Sequence, residues 1–239
     1  MPLPKIATPT YELELPSTGQ SVKYRPFLVK EEKLLVIALE SEDTKQITTA
    51  IKCDLKSCVL TKGIKVETLP TFDIEFLFLH IRGKSVGEEL ELRIICPDDK
   101  ETEVPITIDV DDIKVQTNDE HNKQIKLDDN LMMELKYPSL DEFIKNNFDF
   151  NEENQMDKSF QLIASCIDKI YSDEEVWATA DCTKKEVNEF LESMNSSQFK
   201  LIEKFFETMP KLQHTIEVTN PKTKVKSEVV LEGLASFFG

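Results

Sequence analysis

Between Pro70 and Ile81 the chain reads Pro-Thr-Phe-Asp-Ile-Glu-Phe-Leu-Phe-Leu-His-Ile, a helix-length run that is apolar on more than one side. Phe72, Phe76 and Leu79 form one stripe at helical spacing, and Ile74, Leu77, Phe78 and Ile81 add further apolar faces. A helix of this kind has to be covered all round. The rest of the chain must therefore supply walls for it. With 40% hydrophobic residues and 14 phenylalanines among 239, the material is present, and the length suits one or two domains. Thr71 is placed to cap the helix start.

The walls can be read from changes of period. Tyr11, Leu13 and Leu15 alternate with polar residues up to a Pro-Ser-Thr-Gly turn, and Val22, Tyr24 and Pro26 continue the extended pattern, which is a hairpin signal. Residues 28–40 read as a helix rich in Glu, Lys and Leu. Ile47, Ala50, Ile51, Leu55, Cys58 and Val59 mark a second helix that stops at Lys62-Gly63. After Gly87, Leu90, Leu92 and Ile94 alternate up to a turn at Cys96-Pro97-Asp98-Asp99, and Val104, Ile106 and Ile108 return. Short strands are expected at 113–115 and 131–135, with residues 118–123 as a loop. Ser139 before Glu142 has capping-box spacing, and residues 146–155 have the polarity of a loop. Phe160, Ile163, Ile167 and Ile170 repeat at helical spacing. So do Val187, Leu191 and Met194 behind a Thr183–Glu186 capping box, and a last helix runs from Ser196 or Ser197 to Pro210. A hairpin over 214–231 turns at Asn220-Pro221-Lys222-Thr223.

Charge is uneven. The chain has 45 acidic and 29 basic residues, a net charge of −16. Residues 97–157 hold 18 of the acidic and 6 of the basic side chains, a local balance of −12, so about three quarters of the net charge sits there. An acidic solvent face on a small antiparallel sheet accounts for it without a ligand. The overall charge disfavours nucleic acid and anionic lipid as partners, and no apolar run reaches the roughly 20 residues of a membrane span. The Met-Pro-Leu-Pro start has no leader pattern, so the chain reads as neither secreted nor membrane-bound. Five unpaired-looking cysteines suit a reducing compartment, with Cys53, Cys58 and Cys166 expected in the core.

Catalytic patterns are few. His80, His121 and His214 lie far apart, and no nucleophile elbow surrounds a serine. Six glycines leave little material for a phosphate cradle, and no cofactor fingerprint is present. Asp109, Asp111, Asp112 and Glu120 imitate part of a calcium loop, but Ile113 and Lys114 stand where a ligand and a glycine are needed. Cys96-Pro97 resembles half a zinc knuckle whose second cysteine is replaced by Asp99. The reading is no catalytic residue, no cofactor and no metal. Phe205, Phe206, Phe237 and Phe238 are the candidate partner-binding residues, since large aromatics near chain ends either complete the core or anchor a partner. On the second reading, removing residues 233–239 abolishes partner binding and spares folding.

An ordered set of motifs carries a family resemblance. Residues 4–19 (Pro-Lys-Ile-Ala-Thr-Pro-Thr-Tyr-Glu-Leu-Glu-Leu-Pro-Ser-Thr-Gly) and 22–35 (Val-Lys-Tyr-Arg-Pro-Phe-Leu-Val-Lys-Glu-Glu-Lys-Leu-Leu) open it. Lys-Ser-Val-Gly-Glu at 84–88 and Ile-Asp-Val-Asp-Asp-Ile at 108–113 follow. Met-Pro-Lys-Leu at 209–212, Asn-Pro at 220–221 and Leu-Glu-Gly-Leu-Ala-Ser-Phe-Phe at 231–238 close it. Taken together they resemble the baseplate hub proteins of T-even-like contractile-tailed phages over nearly the whole chain. The resemblance implies a non-enzymatic late protein that helps to build the hub, as a structural component or as an assembly chaperone. It implies other tail and hub proteins as partners, and action in the host cytoplasm during assembly or in the baseplate of the particle.

The expected fold is α+β in three parts: an N-terminal hairpin with helices over 1–88, an acidic antiparallel segment over 89–138, and a helical part over 139–239 closed by a hairpin. Two readings from other classes stand beside the hub protein. One is a metal-dependent hydrolase using the carboxylates of Asp109–Asp112. The other is an acidic DNA mimic, whose charge would form a continuous stripe.

Overall fold

A computed structural model describes residues 6–41, 43–140, 142 and 155–237. The chain is α+β, with helices and antiparallel sheets, as expected. Its elements, in order, are β1 (Tyr11–Glu14), β2 (Ser21–Tyr24), α1 (Val29–Glu40), α2 (Thr44–Cys58), α3 (Thr71–Val86), β3 (Glu89–Ile95), β4 (Glu103–Asp109), β5 (Lys114–Gln116), β6 (Gln124–Lys126) and β7 (Met132–Leu135). They continue with α4 (Gln155–Cys166), β8 (Ile167–Tyr171), β9 (Val176–Ala178), α5 (Lys184–Glu192), α6 (Ser196–Thr208), β10 (Lys211–Thr219) and β11 (Lys226–Glu232).

The apolar helix lies at the centre. In α3, Thr71, Phe72, Asp73, Ile74, Phe76, Leu77, Phe78, Leu79, His80, Ile81 and Gly83 are all buried. Gly83 allows the close approach of the turn at Val110–Asp112: a Cβ there would stand 3.3 Å from a Val110 methyl. Asp73 faces the turn of the first hairpin, where its Oδ1 accepts the Ser17 N–H at 3.0 Å and its other oxygen accepts the Ser17 hydroxyl. Thr71 is the first helical residue, with Pro70 in the cap position and no side-chain cap bond. The expected cap is therefore corrected: the Thr71 N–H donates to the Pro138 carbonyl at 2.9 Å and needs no hydroxyl.

The strands form four antiparallel sheets: β1-β2, β3-β4, β11-β10-β5 and β6-β7-β8-β9. Side chains gather into two cores. The first draws on residues 11–115, Leu140 and 212–237. The second draws on residues 125–206. The chain leaves the first core through β5 and returns through β10, where Gln116 and Lys211 are register partners, so the second core occupies the interval between two adjacent strands. The acidic stretch 89–138 contributes to both.

Several elements differ from their sequence signals. Ile167 and Ile170 do not continue the helix of Phe160 and Ile163. The chain passes from α4 straight into β8, where Ile167 pairs with Leu135, Ile170 pairs with Met133 on β7 and Trp177 on β9, and an apolar spacing of three serves the strand. Strands β6 and β9, three residues each, carry too little pattern to be read alone. Helix α2 ends at Cys58, short of Lys62-Gly63, because Val59 bridges Tyr24 and Leu60 N–H donates to Lys23 O at 2.8 Å. Cys53 is exposed on α2, whereas Cys58 and Cys166 are buried as expected. Of the two expected capping boxes, the one at Thr183 is complete and the one at Ser139 shows its glutamate half. Glu142 bonds the Ser139 N–H at 3.1 Å and also its hydroxyl, and the Thr183–Glu186 pair is reciprocal. The last helix begins at Ser196, capped by Asn195 with Gln198. The loop expected over 146–155 lies outside the described residues up to Gln155, which opens α4.

If α3 is the member that all the walls require, truncating its interior should cost more than any surface change. Leu77 is fully buried, and Leu77→Ala is expected to lower stability by about 3 kcal/mol, read from urea denaturation.

Candidate interaction surfaces

The aromatic candidates fall into the interior. Phe205 on α6 is 2% exposed and Phe237, in a 3-10 turn over Leu234–Phe237, is 1% exposed. Phe206 is half-buried and packs against the second core, and Phe238 lies outside the described residues. Neighbouring helical positions point about 100° apart, so Phe205 turns inward while Phe206 stays at the boundary. In this conformation neither the Phe205 nor the Phe237 ring reaches the surface, and both complete the core, the other of the two roles expected of them.

What Phe205 does instead is back the ring, Tyr137, that joins the second core to α3. The Phe205 ring centroid lies 5.0 Å from His121, 5.8 Å from Tyr137 and 5.2 Å from Phe206. Tyr137 in turn meets Phe72 of α3 edge-on at 5.0 Å, and Lys123 Nζ sits 4.2 Å above the Tyr137 ring. His121 Nδ1 is 3.0 Å from the Thr208 hydroxyl, and burial, with Lys123 nearby, pushes the imidazole below its ordinary pKa.

Phe237 is held by the turn before it. Gly233 adopts φ of 72°, a left-handed conformation that favours glycine, and its N–H returns to Leu212 O at 2.9 Å. The next N–H, of Leu234, donates to Glu75 Oε1 on α3 at 3.5 Å. Burial, with Glu232 nearby, pushes the Glu75 carboxyl up to about 7.

The acidic segment is spent on local structure. Asp109 caps its own turn by accepting Asp111 N–H at 2.8 Å, and Asp111 Oδ1 faces His80 Nε2 at 3.7 Å. Asp98 reaches across to the other hairpin, accepting Asn220 Nδ2 at 3.0 Å, and accepts the Thr223 hydroxyl as well. Asp99 accepts the N–H groups of Glu101 and Thr102, each at 3.0 Å, and the Thr102 hydroxyl. These bonds hold both carboxyls below the usual carboxylate range. Cys96 is buried at the foot of this clamp, and burial together with Asp98 and Asp99 pushes its thiol up. Among the described residues no three His, Cys, Asp or Glu side chains converge in a way that could hold a metal, either at Asp109–Asp112 or at Cys96. Burial also pushes the Cys58 and Cys166 thiols up to about 12, which keeps them protonated and poorly nucleophilic.

The exposed apolar surface lies elsewhere. Val29, Leu34, Val36 and Ile37 face solvent on α1, and Val176 and Trp177 do so on the edge strand β9. Neither patch was singled out from sequence. The Glu-Lys-Leu-Leu-Val-Ile-Ala-Leu run of α1 is apolar over much of its circumference, so pattern alone does not say which side is covered. No described helix is long and apolar enough to cross a membrane.

The chain belongs to the T4 bacteriophage base plate protein family, whose family model matches residues 8–239. No curated protein and no solved structure matches it at a significant level.

Two measurements follow from the Phe237 anchorage. Phe237→Ala is expected to lower stability by about 3 kcal/mol in urea denaturation, and removal of residues 233–239 should destabilise the fold, contrary to the reading of a dispensable tail. Because the folded state raises the Glu75 pKa, it binds the proton more tightly than the unfolded chain does. This group's contribution is then fully present below about pH 4.5 and is lost as the pH rises towards about 7. Glu75→Gln should flatten that decline and raise stability at pH 8 by about 2 kcal/mol, as followed by melting curves across pH.

Proposed function

We propose that this member of the base plate family is a non-enzymatic component or assembly factor of the baseplate hub, acting through contacts with other tail proteins. The observation that carries the reading is the family match over residues 8–239, which covers nearly the whole chain. The site geometry supports it. Of the carboxylates read as a possible catalytic cluster, Asp109 caps its own turn and Asp111 faces His80, while the solvent-facing apolar residues of α1 and β9 are of the kind that mark protein contacts. The net charge of −16 adds specificity: like charges keep free copies apart, and partners with basic surfaces are drawn in.

The two forms of this role differ in where the protein ends up. Mass spectrometry of purified particles, compared with infected-cell lysate, separates them. A structural component is expected in both at a fixed ratio to other baseplate proteins. An assembly factor is expected in the lysate alone. Absence of any hub defect in particles assembled without the chain would overturn the proposal.

A further inference from the structure

Strands β3 and β4 form a two-stranded sheet, so each has one edge without a strand partner among the described residues. The ladder shows which backbone groups face outward. Val110 N–H donates to Glu88 O at 2.8 Å and Cys96 N–H to Thr102 O at 2.8 Å, and the register pairs Leu90 with Ile108 and Leu92 with Ile106. Hydrogen-bonded pairs alternate with non-bonded ones in an antiparallel ladder. Residues 88, 90, 92, 94 and 96 therefore bond β4, and the N–H and C=O groups of Glu89, Glu91, Arg93 and Ile95 point away from it.

On β4 the same parity directs residues 103, 105, 107 and 109 outward, and position 105 is a proline. Its missing N–H and ring blunt that edge against a further strand. Nothing comparable blocks β3. Strand β11 also ends its sheet, but charges along it are paired, Lys226 with Glu217 and Glu232 with Lys211. Glu89 and Glu91 on β3 have no ion pair among the described residues, and Arg93 is only loosely paired with Glu103 at 3.8 Å.

Beside the open edge runs a groove of about 590 Å³ lined by Arg82, Val86, Gly87, the backbone and side chains of 88–92, and Phe237. Val86 is its exposed apolar side chain, over a floor of buried Leu90, Leu92 and Phe237, and Glu88, Glu89 and Glu91 line it with carboxylates. Lys84 answers Glu88, and Glu32 lies near Arg82, so Glu89 and Glu91 leave the rim acidic.

We infer that the β3 edge is a strand-addition site, which takes an extended segment of a partner protein with apolar and basic side chains in alternation. The incoming backbone bonds the outward groups of Glu89, Glu91, Arg93 and Ile95. Its apolar side chains lie on the side of Leu90 and Leu92, and its basic ones on the side of Glu89 and Glu91. A second copy of this chain is disfavoured by repulsion between two molecules of net charge −16, although antiparallel pairing centred on Leu92 would itself set Glu91 against Arg93. The identity of the partner as a tail protein rests on the baseplate reading. The binding geometry does not, so particle mass spectrometry and the test below can fail separately.

The test uses the full chain and a fluorescein-labelled short peptide of alternating valine and lysine, with a valine–glutamate peptide of the same length as control. Saturable anisotropy is expected for the lysine peptide only. In NMR, amide exchange should slow at Glu89, Glu91, Arg93 and Ile95, with little change at Leu90 and Leu92, which β4 already protects. Glu91→Pro removes one outward donor without touching the ladder to β4, and E89K/E91K reverses the rim with the backbone unchanged. Each is expected to weaken binding by about tenfold or more. No binding, equal binding of the two peptides, protection on another element, or affinity unaffected by E89K/E91K would each overturn the proposal. Two further outcomes would also do so. A chain dimer that Glu91→Pro dissociates would assign the edge to a second copy, and binding seen only after truncation at Phe237 would assign the groove to the chain's own end.

Discussion

Everything in this fold answers to the desolvation of one helix. Helix α3 has eleven of its sixteen residues buried, and an amphipathic neighbour can hide only one side of such a helix. The first hairpin covers its start through Asp73, and β10, β5 and the turn at Val110–Asp112 cover other sides. The end of the chain covers another, through Leu234 and Phe237. These walls come from opposite ends of the chain, Ser17 near one and Phe237 near the other. Closing them therefore draws distant parts of the chain into one core, and the Gly83 contact shows how little spare room is left.

The second core is attached to this arrangement at few points, which gives those points weight. Strands β5 and β10 lie side by side, and all of residues 117–210 stand between them in sequence. Beyond the strands, the connection runs through Pro138, Tyr137 and Leu140. Pro138 accepts a bond from the first residue of α3, Tyr137 meets Phe72 on one side and Phe205 on the other, and Leu140 enters the first core. An aromatic stack suits such a junction because it packs a large area with few rotatable bonds and keeps a polar rim, here Tyr137 with Lys123 and His121. The acidic charge concentrated nearby belongs to hairpin tips and turns, where aspartate oxygens take up backbone N–H groups that no strand or helix satisfies.

Much of this was legible in the sequence where local and tertiary demands agree. The buried character of α3, the β3–β4 and β10–β11 hairpins, the Thr183 capping box and the Ser139–Glu142 pairing follow from period and side-chain chemistry alone. What was not legible depends on partners distant in sequence. Nothing within Ile167–Tyr171 distinguishes a last helical turn from a strand, and the choice is made by β7 and β9 on either side. Val59 leaves α2 because Tyr24 is there to pair with it, and Cys53 is exposed because the stripe of Ile51, Leu55 and Cys58 already fills the inward face. The same limit applies to the aromatic candidates. Composition places Phe205 and Phe237 near chain ends, but only the packing of α3 and Tyr137 decides that they point inward.

Edges carry a constraint of their own, because a chain that takes up a partner on an exposed strand also has to avoid adhering to itself. The β3–β4 hairpin shows both halves of that requirement. Proline at 105 closes one edge by removing a donor, and the opposite edge keeps its donors and acceptors but surrounds them with Glu88, Glu89 and Glu91. Charge is the gentler device, since it rejects copies of the same acidic chain and admits a segment of opposite sign. The carboxylates of this region are therefore best understood by position: those at hairpin tips stabilise turns, and those along β3 select what can pair there.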